Sequence, residues 1–191
     1  MSLQLIIGPM FSGKSSEILG IARKYQAIGW PVLVITHSID KRYTDISEVV
    51  SHNNERFPAI SLENLQDALK LEAFERAKLV IIEEAQFFVG LQEFTLNCVE
   101  TLGKNVVCVG LDGDIKREPF GEILRLIPYC DSVVKRSAFC RRCSIPTQAL
   151  FTYRKEESIS QIIVGGSELY EPLCRQHYLS LNNNLYFNDK S

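Results

Sequence analysis

The chain has 191 residues, 46% of them hydrophobic, which suits one main domain with room for a small appendage and excludes a disordered polymer. Its 21 basic and 23 acidic side chains leave a net charge of −2, without the basic excess of a protein built to grip a nucleic-acid backbone. The longest apolar stretches, Leu79 to Ile82 and Val106 to Leu111, are far too short to cross a bilayer, and no charged-then-apolar leader precedes the first strand. A cytoplasmic protein with neither membrane nor nucleic acid as partner is expected.

Leu3 to Ile7 reads as a short buried strand. Gly8-Pro9-Met10-Phe11-Ser12-Gly13-Lys14-Ser15 follows, a complete G-x-x-x-x-G-K-S phosphate-binding loop that leads into a segment of helical period. Backbone N–H groups of such a loop, with the positive end of the helix, cradle phosphate oxygens. Lys14 can reach the β- and γ-phosphates and the Ser15 hydroxyl can coordinate Mg²⁺, so a nucleoside triphosphate site is predicted. Ser16 to Gly29 keeps Ile18, Leu19, Ala22, Tyr25 and Ile28 on one helical face, and Pro31 to Thr36 is a buried strand.

The polar stretch His37 to Arg56 has no clear period and suits a loop, with His37 and His52 solvated. Ser61 can cap a helix bearing Leu62, Leu65 and Leu69. Leu79 to Ile82 is a third strand, Leu91 to Gly103 a helix, Asn105 to Leu111 a fourth strand, Phe120 to Ile127 a short helix and Ser132 to Lys135 a last strand. Continuous Val/Ile/Leu strands between amphipathic helices predict an α/β fold, a phosphate-loop NTPase-type parallel sheet with helices on both faces, over residues 1–136.

The character changes near Ala138. Cys140-Arg141-Arg142-Cys143 and Cys174-Arg175-Gln176-His177 are two knuckles of matched spacing, and four soft or borderline ligands so arranged fit a tetrahedral structural zinc site. A small zinc-ribbon domain over 137–181 is expected, its strands Ala149 to Lys155 and Gln161 to Val164, followed by a polar tail over 182–191. Cys98, Cys108 and Cys130 sit in apolar contexts and read as core.

Two adjacent carboxylates, Glu83 and Glu84, end the third strand before Ala85-Gln86-Phe87-Phe88. An acidic strand end is where phosphate-loop enzymes hold Mg²⁺. One carboxylate near the metal and one near the acceptor would divide the labour of phosphoryl transfer.

Taken jointly, Gly8 to Ser15, Glu83 to Phe88, Leu111-Asp112-Gly113, Pro119-Phe120-Gly121, the two metal knuckles and Gly165-Gly166 resemble the zinc-containing type II thymidine kinases, in order from residue 5 to residue 178. The resemblance implies transfer of the γ-phosphate of ATP, with Mg²⁺, to the 5′-hydroxyl of thymidine in nucleotide salvage for DNA synthesis. It implies Glu84 as general base and Lys14 and Arg42 as catalytic cations. Glu83 and Asp40 then join the loop residues Gly8, Pro9, Met10, Phe11, Ser12, Gly13, Lys14 and Ser15 in holding ATP and its metal.

Glu83 stands where the family usually has Asp, and its longer side chain favours a water-mediated contact with Mg²⁺. Met10, Phe87, Leu111 and Tyr170 would wall the nucleoside pocket, with Ile115 where the family commonly has an aromatic residue and Thr152 beside the base. Backbone groups of Gln161, Ile162, Ile163, Val164, Gly165 and Gly166 would read the pyrimidine edge. The segment Gly165 to Cys174 would act as a lid, part of a substrate loop. Family resemblance also suggests a homotetramer, feedback inhibition by thymidine triphosphate and a zinc ion on Cys140, Cys143, Cys174 and His177.

Two readings from other classes stand beside this one: a phosphate-loop ATPase that works as a switch or motor, and a zinc-ribbon nucleic-acid-binding module, for which Arg141-Arg142 and Lys135-Arg136 supply a modest basic patch. ADP production that depends on added thymidine separates the kinase from both.

Overall fold

The computed structural model describes residues 1–39, 48–50, 56–155 and 165–186. From the N-terminus, β1 (Ser2–Ile7), α1 (Lys14–Ala27) and β2 (Val32–His37) lead to a short antiparallel pair, β3 (Glu48–Val50) and β4 (Arg56–Pro58). Then come β5 (Ile60–Leu62), α2 (Glu72–Arg76), β6 (Leu79–Ile82), α3 (Leu91–Leu96), β7 (Asn105–Gly110) and β8 (Ser132–Lys135). Six of these strands form one sheet in the order β5-β2-β6-β7-β1-β8, and every neighbouring pair is parallel.

Side-chain alternation assigns each strand residue to a layer. Leu3, Leu5, Ile7, Leu33, Ile35, Val80, Ile82, Val106 and Cys108 point to one face, where Leu65, Phe74, Leu91, Phe94, Ile123 and Leu126 cover them. Ile6, Val34, Leu79, Ile81, Val107 and Val109 point to the other, against Ile18, Leu19 and Ala22 of α1. Each fully buried Leu, Ile or Phe contributes about 1.5–3 kcal/mol, so strands apolar on both faces are the source of the sheet's stability. Cys98 and Cys108 lie fully inside and Cys130 half-buried, all within or against the first layer.

Local structure departs from expectation at several places, the first being β3 inside the stretch His37 to Arg56 expected to be a loop. Ser61 does not cap a helix. Ile60-Ser61-Leu62 alternates apolar and polar and pairs with β2 as the edge strand, while Asn64 accepts from the Gln66 amide at 2.9 Å and caps the 3₁₀ turn Leu65–Lys70. The expected Phe120 to Ile127 helix is the 3₁₀ segment Ile123–Tyr129, with Pro128 inside it. After α3 the backbone widens into a π turn, Asn97–Thr101.

Beyond β8, β9 (Ala138–Phe139) pairs antiparallel with β10 (Gln148–Ala149), and β11 (Phe151–Arg154) with β12 (Tyr170–Leu173). The strand expected at Gln161 to Val164 lies outside the described residues, and the partner of β11 is instead a segment from the expected lid that carries Pro172 opposite Thr152. Proline in this strand has a reason: this sheet has two strands, each an edge, where proline's missing N–H is tolerated. The final helix, α4 (Arg175–Tyr186), runs through the boundary expected at residue 181, and Asn182, 7% exposed, donates to the Tyr178 carbonyl at 2.8 Å. Ala138, Cys140, Ala149, Leu173, Cys174 and Tyr178 form a third apolar cluster, and Phe11 of the phosphate loop packs against it.

Candidate active site and metal centre

The phosphate loop leaves β1 at Ile7 and enters α1 at Lys14. Gly8 has φ 147°, and a Cβ there would lie 2.5 Å from the Arg136 carbonyl oxygen, so only glycine lets the loop pass the end of β8. Gly13 at φ 79° turns the chain into the helix. The Lys14 ammonium donates to the Gly8 and Pro9 carbonyls at 3.1 and 2.8 Å and so lies folded across the loop. Ser15 donates its hydroxyl to Glu83 Oε1 at 2.7 Å. Glu83 is 8% exposed at the end of β6, and its own amide donates to the Ile35 carbonyl at 2.8 Å.

Glu84 follows in the left-handed region, φ 52° and ψ 39°, a conformation costing a non-glycine residue about 1–2 kcal/mol. The turn swings its side chain off the strand's alternation. Its Oε2 accepts from Gln86 Nε2 at 2.6 Å, and Gln86 Oε1 in turn accepts from the Leu111 amide at 3.0 Å. Gln86 is 3% exposed, a buried amide with both ends engaged. It has room because β7 ends in Gly110, where a Cβ would meet Gln86 Oε1 at 2.3 Å, and because Gly121, at φ 62°, brings its backbone against the Gln86 carbonyl. The L-D-G and P-F-G elements are therefore neighbours of the carboxylate pair.

Phe87 is half-buried, edge-on to Phe120 with ring centroids 5.5 Å apart. His37, expected to be solvated, packs instead against Phe87 and Phe88 at 5.8 and 4.7 Å. Burial lowers its pKa, opposed by the charge of Glu63. An isolated polar residue after a strand carries no signal of what packs on it, which is why it was missed.

The loop that begins at Leu111 is tied outward. Asp114 accepts from the Lys116 and Glu118 amides at 2.8 and 3.0 Å, the Ile115 carbonyl accepts from the Tyr178 hydroxyl at 2.5 Å, and Arg117 lies 5.0 Å over the Tyr178 ring. Met10 is drawn the same way: its amide donates to Thr152 Oγ1 of β11 at 3.0 Å. Thr152 thus sits against the phosphate loop. Gly165 and Gly166 precede a turn in which the Gly166 carbonyl accepts from the Leu169 and Tyr170 amides at 3.2 and 2.9 Å. Tyr170 is 6% exposed at the head of β12, so of the segment read as a lid only Gly165 to Leu169 forms a turn and Tyr170–Leu173 is anchored strand. Asp40, Arg42, Gln161, Ile162, Ile163 and Val164 lie outside the described residues.

Cys140, Cys143, Cys174 and His177 bring their ligand atoms within 4.8 Å of one another. Cys143 and Cys174 sulfurs are 3.8 Å apart, the edge expected of a tetrahedron whose sulfurs each lie about 2.3 Å from a central zinc. His177 presents Nδ1, 3.5, 3.4 and 3.4 Å from the sulfurs of Cys140, Cys143 and Cys174. At Cys140, burial raises the thiol's pKa, but hydrogen bonds from backbone groups of Cys174 and Arg142 and from His177 and Cys143 outweigh it and bring the value down to about 6. A thiolate there is the species a metal needs. Beside the cluster, Arg142 Nε donates to Glu171 at 3.0 Å and stacks over Tyr153, fixing one knuckle to β12.

The sequence model described as thymidine kinase matches residues 1–178. The chain belongs to the thymidine kinase family. It is 39% identical over 181 residues to a thymidine kinase of Oryza sativa subsp. japonica, covering 93% of this chain and 66% of the rice protein. It is 38% identical over 182 residues to thymidine kinase a of Arabidopsis thaliana (94% and 75% covered), and 37% over 177 residues to the thymidine kinase of Vaccinia virus strain Western Reserve (93% and 96% covered). The kinase transfers a phosphoryl group from ATP to thymidine, and the switch-ATPase and zinc-ribbon nucleic-acid readings give way to that activity. Among the described residues of the kinase, no helix is long and apolar enough to cross a membrane.

Proposed function

We propose that phosphoryl transfer runs between the two carboxylates at the end of β6, with Glu84 as general base and Glu83 serving the nucleotide's metal. The observation that carries this reading is their divergence. Glu83 meets the Ser15 hydroxyl at 2.7 Å, while the left-handed turn sends Glu84 to Gln86 and so to the Leu111 wall. Ser15 and Glu83 make a pair of hard oxygen donors suited to Mg²⁺, with Glu83 a nearer partner than the water-mediated role its length suggested. When bound, the metal neutralises charge on the β- and γ-phosphates.

Lys14 is freed from the Gly8 and Pro9 carbonyls as phosphate oxygens take their place, and loop amides bind the remaining oxygens. Arg42 neutralises charge on the phosphates and Asp40 joins Glu83 in serving the nucleotide's metal. The nucleoside lies among Met10, Phe87, Leu111, Ile115 and Tyr170, with Phe87 stacking on the base and the backbone of Gln161 to Gly166 reading its edge. Glu84 accepts the 5′-hydroxyl proton as the oxygen attacks the γ-phosphorus in line, and Gln86 keeps it aimed. The zinc ion on Cys140, Cys143, Cys174 and His177 is structural, all four positions being filled by protein. We assign the enzyme to cytoplasmic nucleotide salvage for DNA synthesis, as a homotetramer inhibited by thymidine triphosphate in the nucleoside site.

Glu84→Gln tests the base directly, because the amide keeps size and hydrogen bonding but cannot take a proton. With ATP, Mg²⁺ and thymidine, kcat should fall at least ~100-fold with ATP binding little changed. Near-normal turnover in that variant sinks the assignment.

A further inference from the structure

Arg136, the residue after β8, reads from sequence as part of a surface basic patch. In the fold it belongs to the phosphate loop. Its amide donates to the Ile7 carbonyl at 2.7 Å, prolonging the β1–β8 ladder to the last residue before the loop. Its carbonyl oxygen lies 2.5 Å from where a Cβ on Gly8 would stand. Its side chain then arches over the other end: Nε donates to the Ser12 carbonyl at 3.3 Å, Nη2 lies 3.4 Å from the Cβ position of Gly13, and Nη1 meets Glu17 Oε2 at 2.9 Å.

Glu17 sits in the first turn of α1, at the end of the helix that faces phosphate. A carboxylate stabilises a helix N-terminus, but beside a triphosphate it repels the ligand. The guanidinium therefore does two things at once: it holds the Ser12 carbonyl of the loop, and it pairs in charge with the acid in the first turn of α1. Its fork of donors makes both contacts from one rigid group, which a lysine ammonium cannot.

We propose that Arg136 is a positioning residue of the ATP site, holding Ser12 and screening Glu17 so that the loop admits the triphosphate. Arg136→Ala should raise KM for ATP about 5-fold or more, the scale of one lost hydrogen bond plus an unscreened charge, with KM for thymidine unchanged. The rise should shrink in added salt, since the side chains of Arg136 and Glu17 are 41% and 24% exposed and their field is open to screening. Glu17→Gln in the Arg136→Ala background should restore much of the ATP KM, because it removes the charge that Arg136 no longer covers. Arg136→Lys should fall between parent and alanine variant, and thermal melts confirm that each variant is folded. The proposal is overturned if KM for ATP stays at the parent value in Arg136→Ala, if both substrates' KM values rise by the same factor, or if Glu17→Gln brings no recovery. Should Arg136→Ala fail to fold, the lysine variant decides: a parental ATP KM in it overturns the proposal, and a rise confined to ATP supports it.

Discussion

Thr152 offers the most direct way to ask whether the metal-binding module holds the phosphate loop. Its hydroxyl accepts the Met10 amide at 3.0 Å, and Thr152→Val keeps the shape while removing the acceptor. The residue is 5% exposed, so water has little access from the β11 side, whereas Met10 is half-buried and open to partial rehydration. An N–H stranded in that setting costs about 1 kcal/mol, the low end of the range for a buried unsatisfied donor. Felt at the ATP site, that is a rise in KM for ATP of about 5-fold; felt in stability, it is a melting temperature lower by about 2–4 °C for a chain of this size. Thr152→Ser retains the acceptor and should stay within about twofold of the parent. The assay follows ADP formation at saturating thymidine while ATP is varied, alongside a thermal melt of each protein. A valine variant with the parent's KM for ATP and the parent's melting temperature would refute the idea that β11 restrains the loop.

The metal is tested through the same module. Cys143→Ser should abolish the zinc content of the purified protein, about one ion per chain, and raise KM for thymidine and for ATP together, since Thr152 and the packing of Phe11 depend on that cluster; zinc content unchanged by the substitution rejects the four-ligand site. Gly121→Ala forces a Cβ to within 2.1 Å of the Gln86 carbonyl oxygen at a φ of 62°. It should displace the amide that aims Glu84 and lower kcat at least about tenfold; a folded variant with full kcat breaks the link between Gln86 and the base.

Contiguous motifs were the legible part of this chain. The loop from Gly8 to Ser15, the Glu83-Glu84 pair and each metal knuckle are built from residues a few positions apart, whose geometry is set by one strand end, one helix start or one turn. That they lie close together could be read without knowing the fold. The continuous apolar runs within β2, β6 and β7 likewise announced a parallel sheet, because only burial on both faces explains them. Pairing between distant segments was not legible. Nothing in Phe151 to Arg154 specifies Tyr170 to Leu173 as its partner, and Pro172 is accommodated because both strands of this sheet are edges. Ser61 was misread because Leu62, Leu65 and Leu69 satisfy the helical period while Ile60-Ser61-Leu62 also satisfies the strand period, and a free edge beside β2 decided the matter. Arg136 and His37 were hidden for a related reason: a single polar residue at a strand end takes its meaning from what the next element lays beside it.

The burial of β6 on both faces has a further consequence. Leu79, Val80, Ile81 and Ile82 are all 0% exposed, and the two layers they feed are equally apolar. Sliding this strand by one residue would exchange the layers without exposing a polar group, so hydrophobic patterning does not choose its alignment. The choice falls to the flanks. A slip one way draws Lys78 into the sheet, and a slip the other way draws in Glu83, whose amide is already committed to Ile35 and whose carboxylate is committed to Ser15. Glu83 is in this sense a stop on the ruler by which the strand is laid down. An apolar residue in its place would relax the alignment of β6 and, one position later, the direction in which Glu84 faces.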